Sequence, residues 1–392
     1  MRGFSPGQVR EEDLLMRIER PFQKKSDFDH LRKVVMRETT DGPVPLLEFA
    51  VDPELMIEIS GYDFPAGGLE LIPELLTNPT PEALRVGLHL MELSRAFTAA
   101  TRYDYVTTLP IVPIPRPIHR TAARLEHEVK KDSRPRGWQE EHQGLITNRE
   151  QFQAFPWPSK NMVNILPIQF MADRLPPGAK LMALIVGIFE DLRAVMSFEG
   201  MAFATIEQPD LVEDILERLT VLTEDLVDKT AAHPATGAIF YADDMAFNNR
   251  TMISPKLLKE WVIPRHKRIA DACHKHHKPF LFHGCGQIDA LMEDLIEVVG
   301  IDGKHSFQDN IEPVEETYRK YGNRISILGG LEVDLLARGT EAQVRKRARQ
   351  ILEACAPGGG FCMGSGNSVT NFCKIENYFA MIDETRKWNE EH

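Results

Sequence analysis

The sequence has few cysteines and no excess of positive charge. Its five cysteines in 392 residues are odd in number and scattered, which is not the framework of a disulfide-stabilised secreted domain. The 46 lysines and arginines face 58 aspartates and glutamates, leaving a formal net charge of −12. An acidic chain without long basic runs is not expected to bind nucleic acid.

Long apolar runs are also missing. No window approaches the roughly 18 consecutive apolar residues that a membrane-spanning helix needs, so we predict no membrane partner. No apolar stretch follows the first residues, which predicts that the chain has no secretory signal and works in the reducing cytoplasm. Neither a Gly-rich dinucleotide fingerprint nor a Walker-type phosphate loop is present, which excludes the common nucleotide-binding motifs.

What the sequence contains is an alternation of apolar segments and amphipathic helices. Eight segments are predicted strands: 44–49, 104–109, 179–186, 237–244, 279–285, 300–305, 325–330 and 358–363. Eight strands that alternate with helices predict an α/β fold of the (β/α)8 TIM barrel type. An open doubly wound sheet is the alternative, but the count of eight favours closure. We predict one barrel domain over residues 1–392, with an N-terminal helical extension at 1–40 and an insertion after strand 2 at 110–178.

The strongest chemical signal lies at the end of predicted strand 5. His283 and Cys285 are two residues apart, and side chains on a strand alternate with period two, so both point the same way. Cys362 lies on strand 8, at the same rim of the predicted barrel. One imidazole and two thiolates are typical ligands of a catalytic Zn²⁺ with an open fourth position. The alternative for each cysteine is a buried apolar role, but their convergence favours a metal site.

Three further residues at the strand ends are candidates for catalytic roles. Asp243 and Asp244 end strand 4, and adjacent side chains point to opposite sides, so only one of the two should face the barrel mouth. The two are either catalytic carboxylates or acids that cap a loop, and Asp243 is our catalytic candidate. Glu332 follows strand 7, and either it or Asp243 is the candidate fourth metal ligand. His305 ends strand 6, where it either contacts the substrate or closes a turn.

Substrate-binding candidates come from strand ends and from the insertion. Glu48 ends strand 1, and Tyr241 lies near the end of strand 4. The insertion is rich in proline and contains Trp138 and Trp157, which are suited to an apolar pocket. It either covers the active site or is a surface excursion whose aromatic residues pack on the core.

Several motifs together resemble those of one enzyme superfamily. The matching pieces are Phe198-Glu199-Gly200, Gln208-Pro209-Asp210-Leu211-Val212, Asp243-Asp244, Ile253-Ser254-Pro255, Trp261-Val262-Ile263-Pro264-Arg265, His283-Gly284-Cys285-Gly286, Gly329-Gly330-Leu331-Glu332 and Gly359-Gly360-Phe361. From about residue 40 to 390 the chain resembles the uroporphyrinogen decarboxylase superfamily. The resemblance implies a (β/α)8 barrel with its site at the carboxyl ends of the strands, and one of two chemistries.

The resemblance distinguishes a decarboxylase branch from a methyltransferase branch. Decarboxylases of the superfamily pair arginines just after strand 1 with the carboxylates of their substrate, whereas residues 49–54 of this chain contain none. The other branch comprises zinc-dependent methyltransferases that work with corrinoid proteins. Their His-x-Cys on strand 5 and Cys on strand 8 imply His283, Cys285 and Cys362 as the zinc ligands here.

The implied function is therefore methyl transfer. The enzyme is expected to move a methyl group from a small methylated donor, such as a methoxylated aromatic compound (O-demethylation), to the cobalt of a corrinoid (cobalamin) on a partner protein. Zn²⁺ would act as a Lewis acid on the heteroatom of the donor. The alternatives are a methylcorrinoid:thiol methyltransferase of the coenzyme M type, a uroporphyrinogen decarboxylase, and a non-catalytic zinc- or corrinoid-binding barrel. The residues do not decide the donor, the direction of transfer, or whether the protein is a homodimer.

Overall fold

Eight segments of the chain surround one buried apolar core in the computed structural model, which describes residues 25–77, 80–116, 118–120, 137–139, 142–163 and 165–392. The described strands are β1 (Tyr105–Thr108), β2 (Ile118–Arg120), β3 (Gly137–Gln139), β4 (Lys180–Val186), β5 (Thr236–Ala242), β6 (Ala246–Phe247), β7 (Arg250–Thr251), β8 (Phe280–His283), β9 (Gly303–His305), β10 (Ser326–Leu328) and β11 (Phe361–Cys362). Seven of them form one parallel sheet in the order β1-β4-β5-β8-β9-β10-β11.

Helices alternate with the strands of this sheet. The described α-helices are α1 (Phe28–Val35), α2 (Pro53–Ser60), α3 (Ile72–Thr77), α4 (Pro81–Thr101), α5 (Arg149–Ala154), α6 (Leu166–Ala172), α7 (Ile188–Met196), α8 (Phe198–Glu207), α9 (Pro209–Ala232), α10 (Pro255–Leu257), α11 (Ile263–His274), α12 (Asp289–Asp294), α13 (Val314–Tyr321), α14 (Val333–Arg338), α15 (Glu341–Cys355) and α16 (Ile375–Glu391). Two π-helical segments, Leu258–Val262 and Leu295–Val299, continue α10 and α12.

Local sequence signals explain where the helices begin. Thr80 caps α4 because its hydroxyl accepts the N–H of Ala83 at 3.2 Å, and Pro81 occupies the first turn, where its missing N–H costs nothing. Helix α15 begins with a capping box in which Thr340 and Gln343 satisfy each other's backbone N–H groups. In the described part of the chain, no helix combines the length and apolarity that a membrane span requires.

The predicted first strand is an extended segment with a single bridge instead of a full strand. Leu46 pairs with Met363, the residue after β11, in parallel orientation. On the other side, the Tyr105 hydroxyl of β1 accepts the Glu48 N–H at 2.6 Å and donates to the Glu48 carbonyl at 2.8 Å. Backbone hydrogen bonds pair the segment with the β11 side, where the Leu47 N–H donates to the Met363 carbonyl at 2.8 Å, whereas the Tyr105 side chain makes the contact on the β1 side. This segment occupies the eighth position, and the predicted (β/α)8 barrel-like fold is confirmed.

The strands are continuous apolar runs because both faces of the sheet are covered. All four residues of β8 are buried, as are six of the seven in β5. The predicted fourth strand extended to residue 244, whereas β5 ends at Ala242, so Asp243 and Asp244 both lie in the loop that follows. The insertion at 110–178 contains the antiparallel pair β2–β3 and helices α5 and α6. Residues 1–24 of the predicted extension lie outside the described part of the structure.

Candidate active site

A group of metal-type ligands lies at the carboxyl ends of β5 and β8. Among the described residues, the ligand atoms of Asp244, His283 and Cys285 all lie within 4.8 Å of one another. The Cys285 Sγ is 3.3 Å from the His283 Nε2, which is itself 3.9 Å from the Asp244 Oδ1. The predicted convergence of His283 and Cys285 is therefore present, with a carboxylate as the third member. We call these three residues the metal-type group.

The backbone holds the metal-type group in place. The Cys285 N–H donates to the Asp244 Oδ1 at 2.7 Å, which fixes the carboxylate beside the thiol. Gly286 has a φ of +80°, and a Cβ there would lie 2.6 Å from the carbonyl oxygen of Ala246. Only glycine fits this turn without strain, and the turn directs Cys285 back toward the strand end.

His305 determines which nitrogen of His283 carries the proton. Burial lowers the pKa of His283 to about 3 and the pKa of His305 well below its ordinary value, so both rings are neutral at pH 7. The carbonyl of Ser365 can only accept, so His305 donates to it through Nε2–H at 3.1 Å. The His305 Nδ1 is then an acceptor, and the His283 Nδ1–H donates to it at 2.8 Å. The His283 Nε2 consequently has a free lone pair, which faces Cys285 and Asp244.

The surroundings of the metal-type group are apolar on one side and polar on the other. The Phe49 ring stacks on the His283 ring with centroids 3.8 Å apart. The side-chain amide of Asn367 donates to the Cys285 Sγ at 3.2 Å, and the Ser306 hydroxyl donates to the same sulfur at 3.6 Å. Sequence reasoning missed Asn367, Ser306 and Phe49, because none carries a side chain with an obvious catalytic signature.

The donor set fits a zinc ion. An imidazole nitrogen, a thiolate and a carboxylate are all established Zn²⁺ ligands. Burial and the neighbouring Asp244 raise the pKa of the Cys285 thiol to about 12, so without a cation the sulfur is protonated at pH 7. A divalent cation reverses this preference because it stabilises the thiolate directly. The unprotonated His283 Nε2 is the form that a metal requires.

The structure does not bring Cys362 to the metal-type group. This cysteine is the last residue of β11, is fully buried, and is not a member of the cluster of ligand atoms. Its electrostatic neighbours are Asp104 and Tyr105, at the amino end of β1, and burial raises the pKa of its thiol. The side chain of this segment that reaches Cys285 is Asn367, five residues further along. The prediction that Cys362 converges with the pair is corrected accordingly.

Asp243 points away from the metal-type group. Its carboxylate accepts the N–H groups of Phe189 and Glu190 at 3.1 and 2.8 Å and lies 2.7 Å from the His266 Nε2. These contacts anchor the first turn of α7 to the barrel. Of the two adjacent aspartates, Asp244 faces the mouth, so the assignment of Asp243 is corrected.

Two other sequence candidates also have structural contacts. The fully buried Tyr241 hydroxyl accepts the Ile188 N–H at 2.8 Å and packs with Asp243 outside the barrel interior. The Glu332 carboxylate accepts the Asp309 N–H at 2.8 Å and is not a member of the metal-type group. The structure therefore brings neither residue to the ligand atoms.

The two tryptophans of the insertion lie in different parts of it. The Trp157 indole donates to the Phe152 carbonyl at 3.2 Å and packs against Phe155, with ring centroids 4.6 Å apart. Trp138 is in β3, paired with His119, and its side chain lies outside the described part of the structure. Phe152, Phe155 and Trp157 are partly buried against the core, as in the interpretation in which the aromatic residues of the insertion pack on the core.

Glu48 lines a large cavity beside the barrel mouth. The cavity has a volume of about 870 Å³ and is bounded by α4, α6 and the ends of β1 and β4. Burial raises the pKa of Glu48 to about 8, although the hydroxyl and backbone N–H of Ser365 oppose the shift. Ser365 also accepts from His305 through its carbonyl, so a chain of hydrogen bonds joins Glu48 to His283.

Comparisons with known proteins agree with this architecture. Residues 163–388 match the uroporphyrinogen decarboxylase (URO-D) family, which is more than half of the chain. No curated protein matches the chain. Among the matching solved structures is a methyltransferase from Methanosarcina mazei, with a TM-score of 0.66 and 16% sequence identity over 93% of this chain and 99% of the other. At that identity the likeness concerns the fold.

Proposed function

Because the chain belongs to the uroporphyrinogen decarboxylase (URO-D) family, we propose that it is a zinc-dependent methyltransferase that transfers a methyl group from an organic donor to the cobalt of a corrinoid on a partner protein. The observation that supports this most strongly is the metal-type group with its unprotonated His283 Nε2. The fold of the methanogen methyltransferase supports the same reaction class.

The residues at the end of predicted strand 1 and just after it argue against decarboxylation of a polyanionic substrate. Residues 49–54 are all described and contain no arginine. Phe49 instead covers His283, and the Asp52 carboxylate accepts the Asn371 N–H at 2.9 Å. Guanidinium groups are the side chains that pair best with several carboxylates at once. An apolar ring and a carboxylate in this place suit an uncharged donor.

His283, Cys285 and Asp244 would hold the zinc ion, which when bound supplies the Lewis acidity that stabilises the leaving heteroatom. The bond between methyl and heteroatom would break, and the heteroatom would keep the electron pair and take up a proton from water. The corrinoid acceptor on the partner protein would supply the electron pair of the new bond to methyl. His305 keeps His283 in the tautomer that can bind metal, and Asn367 orients the Cys285 sulfur by its hydrogen bond.

Metal content tests the assignment of the ligands. We expect purified protein to contain stoichiometric zinc, and Cys285→Ala to lose it. Cys362→Ala and Cys273→Ala, which truncate two buried cysteines elsewhere, should keep it. Zinc is measured by mass spectrometry after dialysis. If Cys285→Ala retains stoichiometric zinc while Cys362→Ala loses it, the ligand set is wrong.

Methyl transfer tests the reaction itself. Protein, cob(I)alamin and a panel of methoxylated aromatics, methylamines and methylthiols are incubated, and the absorption spectrum reports methylcobalamin. We expect methylcobalamin with at least one uncharged donor and none with Cys285→Ala. Transfer only from methylcobalamin to a thiol would replace this proposal with the reverse reaction.

A further inference from the structure

The cavity beside Glu48 has the size of a ligand-binding site. Its volume of about 870 Å³ lies near the upper end of the roughly 300–1,000 Å³ typical of small-molecule sites. Met91 and Phe97 of α4, Phe170 of α6 and Leu184 of β4 are among the side chains of its wall. Leu88 of α4 also lines it and is 43% exposed, so an apolar wall continues to the surface.

The acid in the cavity wall is uncharged. Among the described residues that line it, Glu48 is the only acid and Arg85 the only base, and the Arg85 side chain is 69% exposed with its guanidinium 3.6 Å from the Glu82 carboxylate. The Ser365 hydroxyl contacts both the carbonyl of Asn367 and the Glu48 Oε2. The hydroxyl has one proton and cannot donate fully to both oxygens, and protonation of the Glu48 carboxyl would satisfy the second contact. The burial of Glu48, which raises its pKa, agrees with this arrangement.

Three hydroxyls of the cavity wall are not offered to a ligand. The Ser94 and Thr98 hydroxyls both donate to backbone carbonyls of β1, at 2.8 Å. The Thr108 hydroxyl, at the end of the same strand, is buried and makes no hydrogen bond to any described residue, and its oxygen is not exposed to the cavity. These groups add little polarity to the wall, which suits an apolar ligand.

Two consecutive residues connect this cavity to the metal-type group. Glu48 lines the cavity, and the next residue, Phe49, stacks on the His283 ring. The wall of the cavity and the proposed zinc site therefore share one short segment of the barrel mouth.

We propose that this cavity binds the methyl donor, and that the donor is an uncharged, predominantly apolar molecule of at least two fused rings or equivalent size. A methylammonium ion would find no ionised carboxylate in the wall, and methanol or methylamine would leave most of the volume unfilled. This proposal depends on the proposed function in one respect, namely that the ligand of the cavity is the methyl donor.

Binding without any corrinoid tests this proposal separately from catalysis. The probe is 2-methoxynaphthalene, whose own fluorescence reports binding, and trimethylammonium is the competitor. We expect Leu88→Trp, which fills the cavity entrance, to weaken probe binding at least about tenfold. The matched control is Ile206→Trp, on the 81% exposed Ile206 of α8, which should leave the affinity within about twofold.

The outcomes separate the two proposals. Probe binding that fails in wild type, that survives Leu88→Trp unchanged, or that trimethylammonium displaces would overturn the cavity assignment. Probe binding that follows the expected pattern, in a protein that binds no zinc and transfers no methyl group, supports the cavity and contradicts the proposed function.

Discussion

The two sides of the barrel mouth use carboxyl groups in opposite ways. Beside β5 and β8, the Asp244 side chain is 32% exposed and accepts the backbone N–H of its neighbour in the metal-type group. On the other side, Glu48 is buried in the cavity wall, where burial raises its pKa to about 8 and keeps it protonated at pH 7. Environment, more than residue type, determines whether a carboxyl is placed as a candidate metal ligand or is held as a neutral polar group.

The clearest contrast between the two sides should come from the adjacent pair of aspartates. Asp243→Asn places an amide against two backbone N–H donors, so we expect the free energy of unfolding to fall by about 3 kcal/mol, with zinc retained in the folded protein. Asp244→Asn should change stability by less than about 1 kcal/mol but weaken zinc binding at least about tenfold. Urea denaturation and competition with a chelator measure the two quantities. Loss of zinc in Asp243→Asn without loss of stability would reverse the assignment.

Because Glu48 is neutral in the folded protein, the difference in stability between the wild type and Glu48→Gln should depend on pH. Its pKa rises from an ordinary 4.5 in the unfolded chain to about 8 in the fold, so stability is complete below pH 4.5 and declines as the pH rises toward 8. Glu48→Gln removes this titration. We expect the variant to match the wild type near pH 4.5 and to exceed it by a few kcal/mol, on the order of 1.4 per pH unit, toward pH 8. A difference that does not vary with pH would show that Glu48 is ionised in the fold.

A smaller effect should follow from the tautomer that His305 imposes on His283. His305→Phe keeps an aromatic ring but removes the acceptor for the His283 Nδ1–H. We expect zinc affinity to fall by about 10- to 100-fold, as for other outer-shell partners of metal-bound histidines. His274→Phe, which removes a histidine that contacts Asp302, is the control and should leave zinc affinity unchanged. Equal zinc affinity in wild type and His305→Phe would contradict the tautomer argument.

The sequence predicted the barrel and the His283–Cys285 pair but chose the wrong aspartate. Period-two alternation places Tyr241 and Asp243 on one side of the chain and Ala242 and Asp244 on the other. Because both faces of a barrel strand are apolar, the pattern does not reveal which side is the interior. Contacts of Asp243 with α7 and His266 decide it. Cys362 was wrongly predicted as a metal ligand for a related reason. The strand that contains it was recognised, but the sequence does not show how far this residue lies from the barrel mouth.

The sequence by itself determined the properties that depend on near neighbours along the chain. These properties are the alternation of strands and helices, the caps of α4 and α15, and the proximity of His283 to Cys285. The tertiary structure alone decided the rest. Ser365 meets Glu48 from 317 positions away, and Asn367 meets Cys285 from 82. Such contacts depend on how strand-end loops converge at the barrel mouth, and no local period or propensity encodes that convergence. Burial and hydrogen bonding there, more than residue identity, set the protonation of His283 and Glu48.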